Sequence, residues 1–115
     1  VARKEGVRLI LNKIKQIAPD MPAIITADFN CEPDEEPLQI LEKGGMQNTS
    51  KTAGITYGPS WSFHDFGRIP LDERVLLDYV FVTDGAKVDR YRVIQDMPEN
   101  GFLSDHCPVL VDLTL

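Results

Sequence analysis

Histidine and cysteine are both scarce in this chain: His64, His106, Cys31 and Cys107 are all there are. Two thiols make no disulfide framework and identify no redox compartment. Positive charge is in deficit too. Twelve Lys and Arg stand against 18 Asp and Glu, for a net charge of −6 and a pI near 4.8. Such a chain is a poor non-specific binder of duplex nucleic acid, whose affinity comes mostly from phosphate neutralisation. A metal site or a small substrate suits it better. No apolar run approaches the ~20 residues that a membrane span requires. The opening Val1-Ala2-Arg3-Lys4 leads into no apolar stretch, so no leader is visible, and no Met opens the chain. The expectation is a processed product or a piece of something longer. What is present, 43% apolar and 26% charged over 115 residues, is ordinary for one α/β domain with a modest core.

Val7, Ile10, Leu11, Ile14, Ile17 and Ala18 recur at helical spacing and predict an amphipathic helix over about residues 3 to 18, closed by Pro19 and Pro22. Residues 23 to 28 form an apolar run that reads as a buried strand. Leu38, Ile40 and Leu41, stopped at Gly44-Gly45, predict a short helix over about 35 to 43. Residues 46 to 74 show no sustained period, and so long a structureless stretch is either a functional loop or a set of unrecognised elements. Val75 to Val82 is the strongest strand. Lys87 to Ile94 reads as a more exposed one, and Cys107 to Leu115 as a closing one. This order predicts an α+β fold over residues 1–115, with one mixed, largely antiparallel sheet and helices on one face. The other face needs a cover that the chain does not supply. Val80 and Val82, or Val109 and Val111, would line it.

Three segments carry polar residues suited to chemistry. In Thr26-Ala27-Asp28-Phe29-Asn30, alternation would bring Asp28 and Asn30 to one side of a strand end and send Phe29 to the other. The same residues also suit a plain polar turn. A calcium loop is excluded because Pro33 stands where the glycine belongs and Gln39 where the bidentate Glu belongs. In Leu76-Leu77-Asp78-Tyr79-Val80, a carboxylate among aliphatics either faces solvent or has a partner, most naturally a histidine. In Ser104-Asp105-His106-Cys107-Pro108, adjacent Asp and His can reach one site only from an irregular turn, which Pro108 helps define. Taken together, carboxylates fit Mg²⁺ or Mn²⁺, and a His held by a carboxylate fits acid/base work. An Asn amide can meet a phosphate oxygen. The set is what metal-assisted phosphoester hydrolysis requires.

These segments resemble the signatures of the endonuclease/exonuclease/phosphatase family. They are Ala27-Asp28-Phe29-Asn30, Leu77-Asp78-Tyr79-Val80-Phe81 and Ser104-Asp105-His106-Cys107-Pro108-Val109, in the family's order. The resemblance implies a four-layer αββα sandwich of which this chain is the C-terminal half. The N-terminal half would bring the principal Glu metal ligand and a further catalytic His. It also implies roles. Asp28 would act on the attacking water or the leaving group, and Asn30 would hold a phosphate oxygen. Asp78 would orient His106, His106 would stabilise the transition state, and Asp105 would help bind the metal. Ser62-Phe63-His64-Asp65-Phe66 is similar to the family's Thr-Phe-x-x-Phe loop, with Ser62 in place of the common Thr. It implies a substrate rim at Phe63, His64 and Phe66. The alternative for that loop is two core phenylalanines and a solvated histidine.

The expected partners are a phosphate-ester substrate, the missing N-terminal half, and a second copy of the chain against the open sheet face. Alone, the chain is expected to be inactive or nearly so. Two rival readings stay open. One is a non-catalytic association piece. The other is an unrelated metal-binding domain using Asp28, Asp105 and His106 without the Asp78–His106 pairing.

Overall fold

The computed structural model describes residues 1–99 and 101–115. Helix α1 (Ala2–Ile17) buries Val7 and leans Leu11 and Ile14 on the core. Helix α2 (Glu36–Lys43) has Pro37 in its first turn, where a missing N–H costs nothing, and fully buries Leu38 and Leu41. A Cβ on Gly44 would lie 2.6 Å from Leu11 Cδ1, so the bare backbone lets α1 sit close against the end of α2.

Among the described residues six strands form two sheets. In the first, β1 (Ile24–Asp28) and β2 (Met46–Asn48) flank β4 (Asp78–Thr83), both antiparallel to it. In the second, β5 (Lys87–Val93) lies between a parallel β3 (Ile55–Tyr57) and an antiparallel β6 (Val109–Thr114). The α+β class and the largely antiparallel pairing agree with the sequence. The expected single sheet is instead two three-stranded ladders, joined where Phe63 bridges both Val75 and His106.

The segment 46–74 is not structureless. It holds β2, the short helix α3 (Thr49–Thr52), β3 and a 3₁₀ turn at Leu71–Glu73. Each is three or four residues long, too short to establish a period. The strand expected from Val75 begins its ladder only at Asp78. The N–H groups of Leu77 and Asp78 are bonded to the Ser62 hydroxyl rather than to a neighbouring strand.

Tyr79, Phe81, Ile25 and Phe29 face the helices, with Phe29 edge-on to both Tyr79 and Phe81 at ring separations of 6.0 and 5.7 Å. Asp28, Thr26 and Ile24 share the other face with their register partners Asp78, Val80 and Val82. That face is less open than expected. Val82 is fully buried, Val80 is half-buried, and Val109 and Val111 pack on the core. Exposed apolar side chains run along α1, the turn after it and β1, at Leu9, Ile17, Met21 and Ile24, and others lie on the second ladder at Ile55, Tyr57 and Leu110. Among the described residues β1 pairs only with β4, so its outer edge is open. No described helix is long and apolar enough to cross a membrane.

Candidate active site

Asp28 ends β1 and Asp78 begins β4, and the two are direct register partners. Like charges directly opposite one another repel. His106 lies between them. Its Nδ1 is 2.6 Å from Asp78 Oδ2, and its Nε2 is 3.8 Å from Asp28 Oδ2. A carboxylate only accepts, so Nδ1 carries a proton and Nε2 is the nitrogen turned toward Asp28. Burial alone would lower the His106 pKa. The hydrogen bond and charge of Asp78, followed by the charges of Asp28 and Asp105, outweigh it and raise the pKa above the ordinary value. The expected Asp78–His106 pairing is present, and Asp28 is on the same side.

Each member of the cluster is held from behind. His106 comes from an irregular turn in which its N–H donates to Ser104 Oγ at 3.1 Å. The Phe63 ring packs on the imidazole at 4.9 Å. Asp28 Oδ1 accepts the Asn30 N–H at 2.8 Å, which leaves Oδ2 for the histidine. Asn30 itself has φ +50°, a conformation that Asn tolerates, and its carbonyl accepts from the Arg3 guanidinium. The next carbonyl, Cys31, accepts the Tyr79 hydroxyl at 2.8 Å. Tyr79 is buried, and burial above all pushes its pKa up. The tyrosine of the Asp-Tyr strand thus pins the loop that follows Asp28.

Asn30 does not continue the strand. It lies two residues past the end of β1, so strand alternation does not orient it, and its exposed side-chain amide makes no hydrogen bond to a described residue. Asp105 receives the His64 N–H on its carbonyl at 3.0 Å, and its charge is felt by His106. The group that could hold a cation, with atoms within 4.8 Å of one another, is Asp28, Asp78 and His106, and it does not include Asp105. Two carboxylates fit a hard divalent cation. Only part of the set is free, however, because Asp78 Oδ2 and His106 Nδ1 are bonded to each other. Both cysteines are buried and unbridged, with pKa values raised mainly by burial.

The loop after Ser62 divides the residues that the sequence groups together. His64 is buried, its ring 4.7 Å from Phe102, and its Nδ1 accepts the Gly67 N–H at 3.1 Å. Burial first, then Arg74, holds its pKa down. Phe66 is exposed. Asp65, Phe66 and Gly67 stand consecutively at φ 50°, 53° and 79°. A phenylalanine at positive φ is strained, and such strain collects at functional sites. The resemblance places Ser62 in a rim loop, in place of the common Thr, but neither the partners of its hydroxyl nor this backbone turn is legible in the sequence.

No curated protein sequence is significantly similar to the chain. Solved structures are. An endonuclease/exonuclease/phosphatase from Bacteroides vulgatus shares 36% identity with a TM-score of 0.92, over 99% of this chain and 44% of its own. A mannosyl-6-phosphatase from Bacteroides thetaiotaomicron shares 28% identity with a TM-score of 0.85, over 99% and 46%. D. rerio TDP2, in complex with a single-strand DNA product, shares 17% identity with a TM-score of 0.69, over 98% and 50%, and supports the fold alone. The chain therefore spans half or less of the length of these proteins. The family model for the endonuclease/exonuclease/phosphatase family matches residues 6–106, and with that match over most of the length the chain belongs to this family of phosphoesterases.

Proposed function

We propose that the intact protein hydrolyses phosphate esters with a divalent metal ion, Mg²⁺ or Mn²⁺. The observation that carries this is the three-group line of Asp78, His106 and Asp28, with separations of 2.6 and 3.8 Å. Water attacks phosphorus, the P–O ester bond breaks, and the departing oxygen takes a proton from solvent to leave as the alcohol. Asp28 accepts the proton of the attacking water. His106 keeps its Nδ1–H on Asp78 and presents Nε2–H to a phosphoryl oxygen, where charge builds in the transition state. Asn30, past the end of β1, donates its free amide to another phosphate oxygen. Asp105 is the residue of this chain that would help hold the metal, which when bound supplies Lewis-acid stabilisation. Phe66 forms the exposed rim, with Phe63 and His64 fixing the loop behind it. The similarity to a mannosyl-6-phosphatase favours a phosphomonoester over a diester.

The 115-residue chain alone turns over slowly or not at all, because its cation-binding group has few free donors. The rest of the domain is the proposed cover for the open edge of β1. A second copy of the chain is the alternative, and light scattering tells the two apart. The test is hydrolysis of p-nitrophenyl phosphate and its bis-ester by the full-length protein and by this chain, with Mg²⁺, Mn²⁺ or EDTA. EDTA-sensitive turnover by the full-length protein, lost in His106→Ala, is expected. Turnover indifferent to EDTA and to His106→Ala would overturn the reading. Turnover of ~1 per second by the isolated chain would overturn the claim that it is inactive alone.

A further inference from the structure

We infer that Ser62 is a positioning residue, whose hydroxyl locks the Asp78 carboxylate and thereby sets the tautomer and ring orientation of His106. Its importance for turnover rests on the phosphoesterase reading, whereas the positioning itself does not.

The hydrogen-bond inventory leaves one arrangement. Ser62 is fully buried. Its Oγ accepts the N–H groups of Leu77 at 3.0 Å and Asp78 at 3.3 Å. A hydroxyl has one proton and two acceptor sites. With both acceptor sites filled, the proton goes to the remaining neighbour, Asp78 Oδ2, at 2.7 Å. The same oxygen accepts from His106 Nδ1 at 2.6 Å.

A carboxylate torsion is soft, with broad two-fold wells, so one contact to histidine does not by itself hold its plane. Ser62 can hold it because its own backbone is fixed at both ends. The Ser62 N–H donates to the Val75 carbonyl at 3.0 Å, and the Ser62 carbonyl accepts the N–H of Cys107 at 2.7 Å. Cys107 directly follows His106. One residue therefore ties the start of β4, the Asp78 carboxylate and the turn bearing the histidine into a single frame. Which ring nitrogen of a histidine is protonated follows from the hydrogen bond that the other makes.

The test reads imidazole ¹⁵N shifts of the labelled chain, with EDTA present, as pH is raised to the plateau where His106 is neutral. That plateau lies above the ordinary histidine range because Asp78 raises the His106 pKa. Wild type is expected to show His106 in the Nδ1–H form. Ser62→Ala should move it to a mixture dominated by Nε2–H. Ser62→Cys, which keeps the volume but has only a weak S–H donor, should do the same even if the alanine variant fails to fold. Ser62→Thr, which keeps the hydroxyl, should restore the wild-type signal. His64 is the control in the same spectra, because its Nδ1 accepts from Gly67 and it should stay Nε2–H throughout. Unchanged His106 in folded Ser62→Ala or Ser62→Cys would overturn the inference. So would loss of the signal in Ser62→Thr, since packing rather than the hydroxyl would then be responsible. In the full-length protein kcat should fall about 10- to 100-fold in Ser62→Ala with KM unchanged, the range seen when an outer partner of a site residue is removed. Absence of any phosphoesterase activity would defeat the proposed function and leave the tautomer result standing.

Discussion

Replacing Asp78 by Asn changes charge and almost nothing else, so it isolates the electrostatics of the His106 pair. In the native chain Asp78 Oδ2 takes two donors, from His106 and Ser62. Both side chains of the ion pair are less than a quarter exposed, at 24% and 21%, so solvent screening is limited. A hydrogen bond to a charged group contributes about 1.5–3 kcal/mol, and a neutral one about half that. The sign with pH follows from the raised folded-state pKa of His106. A group whose pKa rises on folding adds stability that is complete below its unfolded pKa, ~6.5, and is lost as pH climbs through the higher folded value. Asp78→Asn should therefore cost about 2–3 kcal/mol near pH 5.5 and only about 1 kcal/mol near pH 9. With a urea m-value of about 1–1.5 kcal/mol/M for a chain of this size, the midpoint should drop by about 2 M at the acidic pH and by less than about 1 M at the basic one. Urea titrations of both proteins at the two pH values, with EDTA present, check this. A gap that is flat in pH, or that widens toward pH 9, would refute the ion-pair assignment.

Two further outcomes are expected. Gly58 has φ +84°, and a Cβ there would lie 2.1 Å from the Val93 carbonyl oxygen, so Gly58→Ala must displace the β3–β5 contact. It should cost more than ~2 kcal/mol, or roughly 8 °C in thermal midpoint; a midpoint within about 2 °C of wild type would count against that geometry. Phe66→Asn should relieve strain at φ 53° and raise stability by about 0.5 kcal/mol, while lowering kcat/KM for esters with bulky leaving groups. A stability loss would show that Phe66 is held by packing rather than displayed at a cost.

The chemistry was more legible than the connections. Asp28, Asp78 and His106 stood out because carboxylates and histidine at strand ends demand partners, and the structure brings those three together. Helices α1 and α2 were legible because eight or more residues carry a full apolar period. On β5 the core positions Val88, Tyr91 and Val93 break strict alternation, and the bulge between Val88 and Arg90 explains the offset. The segment 46–74 was opaque for the opposite reason. β2, α3 and β3 are specified by partners distant in sequence, such as Thr49 donating to the Val80 carbonyl at 2.7 Å. The role of Ser62 was hidden in the same way: the resemblance placed it in a rim loop, but the partners of its hydroxyl are known only in space. Asn30 and Asp105 rest on resemblance and donor chemistry, not on contacts within the cluster.

The register of β1 against β4 ties folding fidelity to competence. Asp28 faces Asp78 in the same ladder that sends Tyr79 and Phe81 into the core. Side chains alternate along a strand, so a slip of one residue would turn one carboxylate toward the helices and bring an apolar residue out. Such a slipped chain could keep most of its ladder hydrogen bonds, yet it would forfeit aromatic burial and the Asp28–Asp78 alignment around His106 at once. Hydrophobic burial thus proofreads the site. On denaturation of the wild-type chain, loss of the native His106 signal should coincide with loss of β4 amide protection.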